Sequence, residues 1–127
     1  MGCGRVGTMI ATVLWEEGNH VIVLDANPES LRRLPEELQK EAMVGDGSLE
    51  EDLRRGGIEI SDAFVAVSTG DTTNVLAAQM AKHVFQVGKV VCRIDDPACF
   101  EMYKELGLNA VSSTQLISNL ILQAVHS

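Results

Sequence analysis

Gly2-Cys3-Gly4-Arg5-Val6-Gly7, followed after one helix length by His20-Val21-Ile22-Val23-Leu24-Asp25, decides the fold of this chain. The first segment fits G-x-G-x-x-G. Its first glycine permits a tight turn, its second lets backbone approach a diphosphate, and its third lets a helix pack on a strand. The helix that follows points free N–H groups and a positive dipole end at an anion. Val6, Ile10, Val13 and Leu14 fall on one face of that helix, which ends near Gly18. Asp25 closes the next apolar run 21 residues beyond Gly4. At about 20 residues of separation a carboxylate meets the diol of a ribose. The same carboxylate would repel a 2′-phosphate, and Ala26 and Asn27 offer no arginine to receive one. Arg5, at the helix start, either reaches a terminal phosphate or lies solvated. Cys3 reads as a small filler rather than a redox thiol, although a helix N-terminus would lower its pKa.

Outward from this pair, short apolar runs alternate with amphipathic stretches to the end of the chain. The runs are His20–Asp25, Ala42–Gly45, Ala63–Ser68, Lys89–Ile94 and Ala110–Ser112. β-Branched runs of this kind suit strands covered by helices on both faces. Helices are expected from Asn27-Pro28 through Leu38 with a kink or stop at Pro35, and from a Ser48 cap to Gly56-Gly57. Others run from Asp71 or Thr72 to about Phe85, from Asp96-Pro97 to Gly107, and from about Thr114 to the C-terminus. Such alternation specifies an α/β fold, a Rossmann-type doubly wound parallel sheet in a single domain over residues 1–127. The strand that should feed the first helix is missing. This truncation reads as a fragment or a start assigned too late, because losing a central strand would expose apolar faces and two unpaired edges.

Composition narrows the function. The 127 residues are 46% hydrophobic but only 4% aromatic, so the core is aliphatic. Ten basic against eighteen acidic residues give a net charge of −8, which argues against nucleic acid and anionic membrane as main partners. An anionic ligand must then be held by a local device. No apolar run approaches a membrane span of about 20 residues, and no basic-then-apolar leader opens the chain. Cys3, Cys92 and Cys99 have neither disulfide nor zinc spacing, and free thiols suit the cytoplasm. His20, His83 and His126 lack metal-ligand partners at helical spacing, and Asp95-Asp96 before Pro97 reads as a helix start. No nucleophile motif or paired metal carboxylates are found.

Later segments add specificity. Leu24-Asp25-Ala26-Asn27-Pro28-Glu29, Val44-Gly45-Asp46-Gly47-Ser48, Ala66-Val67-Ser68-Thr69-Gly70-Asp71-Thr72-Thr73-Asn74 and Arg93-Ile94-Asp95-Asp96-Pro97 follow the glycine loop in order. With Ala77–Lys82, Tyr103–Asn109 and Ser113–Ile117, the chain resembles the nucleotide-binding N-lobe of the RCK (KTN, TrkA-N) domain, which regulates potassium transporters and channels. The resemblance implies that Gly45 and Asp46 lie beside an adenine. It implies that Ser68, Thr69 and Gly70 cross the cofactor at the switch point of the sheet. It further implies that Asp71 and Asn74 cap and shape the next helix, and that Arg93 stands near the pocket. Each of these residues ends a predicted strand or begins a helix, where ligands of open α/β sheets sit. Asp46 and Asp71 read equally well as turn and cap residues. The family's C-lobe has no counterpart after Ser127.

Leu116, Ile117, Leu120, Ile121 and Ala124 form one apolar face of the last helix, widened by Leu122 and Val125. So wide an arc needs more cover than one sheet face gives. In the family the corresponding helix crosses to a partner, which implies a homodimer or a higher ring assembly. The expected protein is a non-enzymatic sensor of NAD or NADH, alternatively of ATP or ADP. It would serve a membrane potassium transporter or channel subunit from the cytoplasmic side, without inserting into the membrane. The rival reading is the cofactor-binding fragment of an NAD-dependent dehydrogenase.

Overall fold

A computed structural model describes residues 1–127. The element order is α1 (Arg5–Glu16), β1 (Leu24–Asp25), α2 (Pro28–Leu31), α3 (Glu36–Gln39), β2 (Met43–Val44), α4 (Glu50–Arg55) and β3 (Ala63–Ala66). It continues with α5 (Asp71–Gln79), β4 (Lys89–Arg93), α6 (Pro97–Glu105), β5 (Ala110–Val111) and α7 (Ser113–His126). All strand pairs are parallel: β1 with β2, and β3 with β4 with β5. Met1 and Gly2 stand between the two ladders. The Met1 amino group donates to Val65 O and the Val67 amide donates to Met1 O, each at 2.8 Å. The Gly2 amide donates to Leu24 O, also at 2.8 Å. The spatial order is therefore β2, β1, residues 1–2, β3, β4, β5, and the doubly wound sheet expected from the sequence is present. Met1 and Gly2 bridge the two ladders and deliver the glycine loop to the head of α1.

The strands are shorter than the apolar runs that predict them. His20–Val23 lie outside β1 because β2 offers pairing only at its own two residues. The helix expected over Asn27–Leu38 is two. Asn27 caps α2 by accepting from the Glu29 amide at 3.0 Å, and Pro35, which has no N–H to continue a helix, separates α2 from α3. Ser48 does not cap α4; Leu49 holds that position, and the Ser48 hydroxyl donates to Asp46 Oδ1 at 2.6 Å instead. The helix α5 widens into one π turn over Met80–Val84 before Phe85.

Three apolar clusters form the core. Ala66, Val75, Ala78, Cys92, Ile94, Phe100 and Leu108 join β3–β5 to α5 and α6. Leu24, Leu53, Ile58, Ala81 and Val87 fill the other side of the sheet centre. Cys3, fully buried, packs with Ala11, Val23, Leu31, Leu34 and Leu38 under α1, which agrees with its reading as a filler. Cys92 is likewise a core thiol, and burial pushes its pKa up to about 11.

Candidate functional site

At the head of α1 the chain leaves donors unspent. The first bond of the helix runs from the Thr8 amide to Gly4 O at 2.9 Å, so the amides of Gly4, Arg5, Val6 and Gly7 have no backbone acceptor. No side chain caps this end, and no acidic residue lies in its first turn. In α2, α6 and α7, by contrast, Asn27, Asp96 and Ser112 perform that task. Partial positive charge is thus concentrated at one exposed point of a strongly acidic chain.

The three glycines have three different causes. Gly2 adopts φ +100, and a Cβ there would stand 2.5 Å from the Ser68 amide nitrogen. A Cβ on Gly7 would overlap the carbonyl oxygen of Gly2, so α1 can pack on the loop only through glycine. Gly4 has no protein atom within 4 Å of its missing Cβ. Nothing inside the chain requires glycine at position 4; a side chain there would intrude on the space in front of the free amides. That open approach is what a diphosphate oxygen requires.

Asp25 holds the loop from the neighbouring strand. Its Oδ2 accepts from the Cys3 amide at 2.7 Å and its Oδ1 from the Asn27 amide at 2.8 Å. Each oxygen keeps a further lone pair, so the carboxylate can position the loop and still accept from hydroxyl groups. Ala26 and Asn27 are exposed beside it. Across the crevice Ser68 follows β3, and Thr69 and Gly70 are exposed at the same rim.

Asn74 fixes that rim. It is fully buried and makes four bonds: it accepts from the Ser68 amide (3.0 Å) and hydroxyl (2.7 Å) and donates to Ser68 O (2.9 Å) and Arg93 O (3.0 Å). It thereby locks the carboxyl ends of β3 and β4 together. Asp71 differs from its expected role. Gly70 is the cap position of α5, and the Asp71 carboxylate instead accepts from the Asp95 and Asp96 amides at 2.9 and 2.8 Å. Arg93 is also committed elsewhere, donating to Asp95 Oδ2 at 2.8 Å. Asp95 in turn accepts from the amide and hydroxyl of Ser113 at the start of α7. Burial pushes the Asp95 carboxyl up, but the bonds from Ser113 and Arg93 outweigh it and hold it below the usual range.

Gly45 follows β2 and is packed, since a Cβ would come within 2.7 Å of Leu24. Asp46 is exposed, and bonds from the Ser48 hydroxyl and amide hold its carboxyl below the usual range. Its own amide donates to Asp52 Oδ2 at 2.8 Å. The turn reading of Asp46 therefore accounts for one carboxylate oxygen and leaves the other toward solvent.

The structure thus lines up Gly45–Asp46, Asp25–Asn27, Gly2–Gly7, Ser68–Gly70 and Arg93 in sheet order at the carboxyl ends of the strands. Asp52 is a support that the sequence reading missed, because its partner is a backbone amide six residues away. Arg33 is another. It shares with Arg5, Thr8, Met9, Thr12 and Val13 a shallow groove of about 490 Å³ on the outer side of α1. Its place after a short helix carries no periodic signal.

Fold and site together define a Rossmann-type domain of the nucleotide-binding class. The chain belongs to the TrkA-N domain family, whose profile matches residues 1–114. It is 40% identical to the Trk system potassium uptake protein TrkA of Streptomyces coelicolor over 97% of its own length and 55% of that protein's. Identity to a TrkA homolog of Pyrococcus abyssi is 36%, over 84% of this chain and 48% of the relative. The chain therefore spans about half the length of the curated relatives it matches. Among solved structures, the AMP-bound C-terminal domain of Kef from Shewanella denitrificans superposes with a TM-score of 0.78 at 23% identity, covering 98% of this chain and 77% of that one. The TrkA-N domain of the inner membrane protein YbaL from Escherichia coli gives 0.79 at 18% identity, covering 97% and 91%. These two likenesses show the fold.

Proposed function

We propose that this chain is the adenine-nucleotide-sensing domain of a potassium uptake system, and that it carries out no reaction. The observation that carries the reading is the set of four unpartnered amides, Gly4 to Gly7, at the head of α1 near the Asp25 carboxylate, with open space in front of Gly4. In this reading the amides and the dipole of α1 hold the diphosphate, and Asp25 accepts from the ribose hydroxyls. Gly45 and Asp46 flank the adenine, while Ser68, Thr69 and Gly70 close over the cofactor. Asp71, Asn74 and Arg93 hold this rim in place through the bonds described above. The ligand is NAD or NADH, with ATP or ADP as the alternative. All four share the adenosine diphosphate that the loop would hold, and in this reading Arg5 responds to a terminal phosphate.

The transport role is supported by the potassium uptake proteins that the chain resembles. No helix is long and apolar enough to cross a membrane. In this reading the domain acts from the cytoplasmic side on a membrane transporter or channel subunit. Two protomers paired through α7 would adopt alternative orientations, with nucleotide favouring one through differential affinity. Coupling of about 1–3 kcal/mol is usual for such devices.

A thermal-shift panel of NAD, NADH, ATP and ADP on the unaltered chain, Asp25→Ala and Arg5→Ala tests this. At least one nucleotide should raise the melting temperature of the unaltered chain, and Asp25→Ala should abolish the effect. Loss of a triphosphate preference in Arg5→Ala would mark a terminal-phosphate sensor. Turnover of NADH with a small carbonyl substrate would overturn the non-enzymatic reading.

A further inference from the structure

Three helices start at one junction next to the Ser68–Gly70 rim. Asp71 opens α5, Asp96 caps α6 by accepting from the Ala98 and Cys99 amides at 3.0 and 3.1 Å, and Ser113 opens α7. Carboxylates tie the three starts together. Asp71 accepts from the Asp95 and Asp96 amides, and Asp95 Oδ1 accepts from the Ser113 amide at 3.0 Å and hydroxyl at 2.7 Å. Asp71 follows Gly70 in the chain. The path from that rim to the first residue of α7 therefore has two hydrogen-bonded links, Asp71 to Asp95 and Asp95 to Ser113.

The far side of the junction carries a lever. Val75, Ala78 and Phe100 sink α5 and α6 into the core, so those helices move only with the sheet. In α7, by contrast, every residue from Thr114 onward is exposed, and no packing sets the helix direction. Beyond the chain connection to β5, its start sets it. Ser112 caps the helix by accepting from the Gln115 amide at 3.1 Å, and the Asp95 bonds join the next residue to the domain. With 14 residues, α7 is about 21 Å long at the usual rise of about 1.5 Å per residue. A tilt of about 10° at Ser113 would carry its far end about 4 Å.

We propose that Asp95 and Ser113 are a positioning pair that couples a nucleotide at the Ser68–Gly70 rim to the orientation of α7. The inference rests on the nucleotide reading and on pairing through α7. Closure of Ser68–Gly70 over a ligand displaces Asp71, the Asp95 and Asp96 amides follow its carboxylate, and Ser113 follows Asp95. Asp95 suits this relay because both of its oxygens are held. Oδ1 faces α7 and Oδ2 accepts from Arg93 Nε at 2.8 Å, so the carboxylate cannot turn to absorb the movement. Coupling between sites is carried by such continuous bonded networks when they end on an element with alternative arrangements. A partner held by α7 then meets a different angle, and by linkage pairing changes nucleotide affinity by the same factor.

Ser113→Pro cuts the relay at little cost to the fold. Proline has neither N–H nor hydroxyl, so both bonds to Asp95 are lost, yet it is favoured at the first position of a helix. Ser112 before it already has φ −107 and ψ 115, the extended conformation that suits a following proline. Ser113→Thr keeps both donors. Sedimentation with and without saturating ADP should show the dimer dissociation constant shifting about fivefold or more in the unaltered chain and in Ser113→Thr, and less than about twofold in Ser113→Pro. Without ligand, dilution from dimer to monomer should move the Ser68, Thr69 and Gly70 amide signals in the first two chains and leave them in place in Ser113→Pro. Should Ser113→Pro not fold, Ser113→Ala, which loses the hydroxyl bond alone, should still reduce both shifts. Equal shifts in the cut and uncut chains would overturn the proposal, as would an unaltered chain that shows neither shift. If ADP binds nowhere, the nucleotide reading fails, and the dilution experiment still decides the relay.

Discussion

At the scale of single residues, Gly7 and Gly4 make opposite predictions although one motif contains them both. Gly7→Ala forces a Cβ into the Gly2 carbonyl and should destabilise the fold by about 1–3 kcal/mol, read by urea denaturation. Gly4→Ala meets no protein atom. It should leave stability within about 0.5 kcal/mol while weakening nucleotide binding tenfold or more, read by titration calorimetry. The Met1 amine supplies a pH test. Its folded pKa of about 6 lies below the 8.0 of the free group, so between these values the unfolded chain binds more protons. Stability should therefore rise as pH rises from about 6 to about 8, by up to about 3 kcal/mol, and level off above. N-terminal acetylation, in a chain whose intact mass confirms Met1, should remove the slope. The glycine loop and Asp25 were legible in the sequence because backbone chemistry fixes both residue type and spacing there. Asp71 and Arg93 were not: their partners, the Asp95 and Asp96 amides and the Asp95 carboxylate, depend on how two loops meet, which no local pattern encodes.

At the scale of elements, one buried amide ties the carboxyl end of β4 to the segment that follows β3. Asn74→Ala would strand the Ser68 amide and the Ser68 and Arg93 carbonyls without their partner, at about 1–3 kcal/mol for each group that water cannot reach. We expect a loss of stability of about 3 kcal/mol, measured by chemical denaturation, with weakened nucleotide binding as Ser68 loosens. Element type was readable throughout, since β-branched runs and capped amphipathic stretches alternate. Strand length was not. His20–Val23 has strand composition, but a strand also needs a ladder partner, and β1 finds its partners only at β2 and Gly2. Pro35 shows the opposite case, where one residue without an N–H correctly foretold the break between α2 and α3.

At the scale of the whole molecule, α7 is unfinished as a piece of a monomer. None of its residues is buried, and Leu116, Ile117, Leu120 and Ile121 are each more than half exposed. The chain exposes 7942 Å², where a compact monomer of 13.7 kDa would expose about 6,600 Å². The surplus exceeds the ~800 Å² that each partner contributes to a stable interface. Sedimentation should accordingly show a dimer or larger assembly at micromolar concentration, and Leu120→Glu with Ile121→Glu should return it to monomer without loss of the glycine-loop site. The width of this apolar face was plain in the sequence, but its direction, away from the sheet, is set by Ser112 and by the Asp95–Ser113 bonds at its start.

The central claim is that amides at the head of α1 grip a pyrophosphate beside Asp25. An NMR titration of the isotope-labelled chain with ADP tests it most directly. The amide signals of Gly4, Arg5, Val6 and Gly7 should move together and saturate, with those of Cys3 and Asn27 following because both donate to Asp25. If these six signals stay fixed while the nucleotide binds elsewhere, or if nothing binds, the assignment of this crevice is wrong.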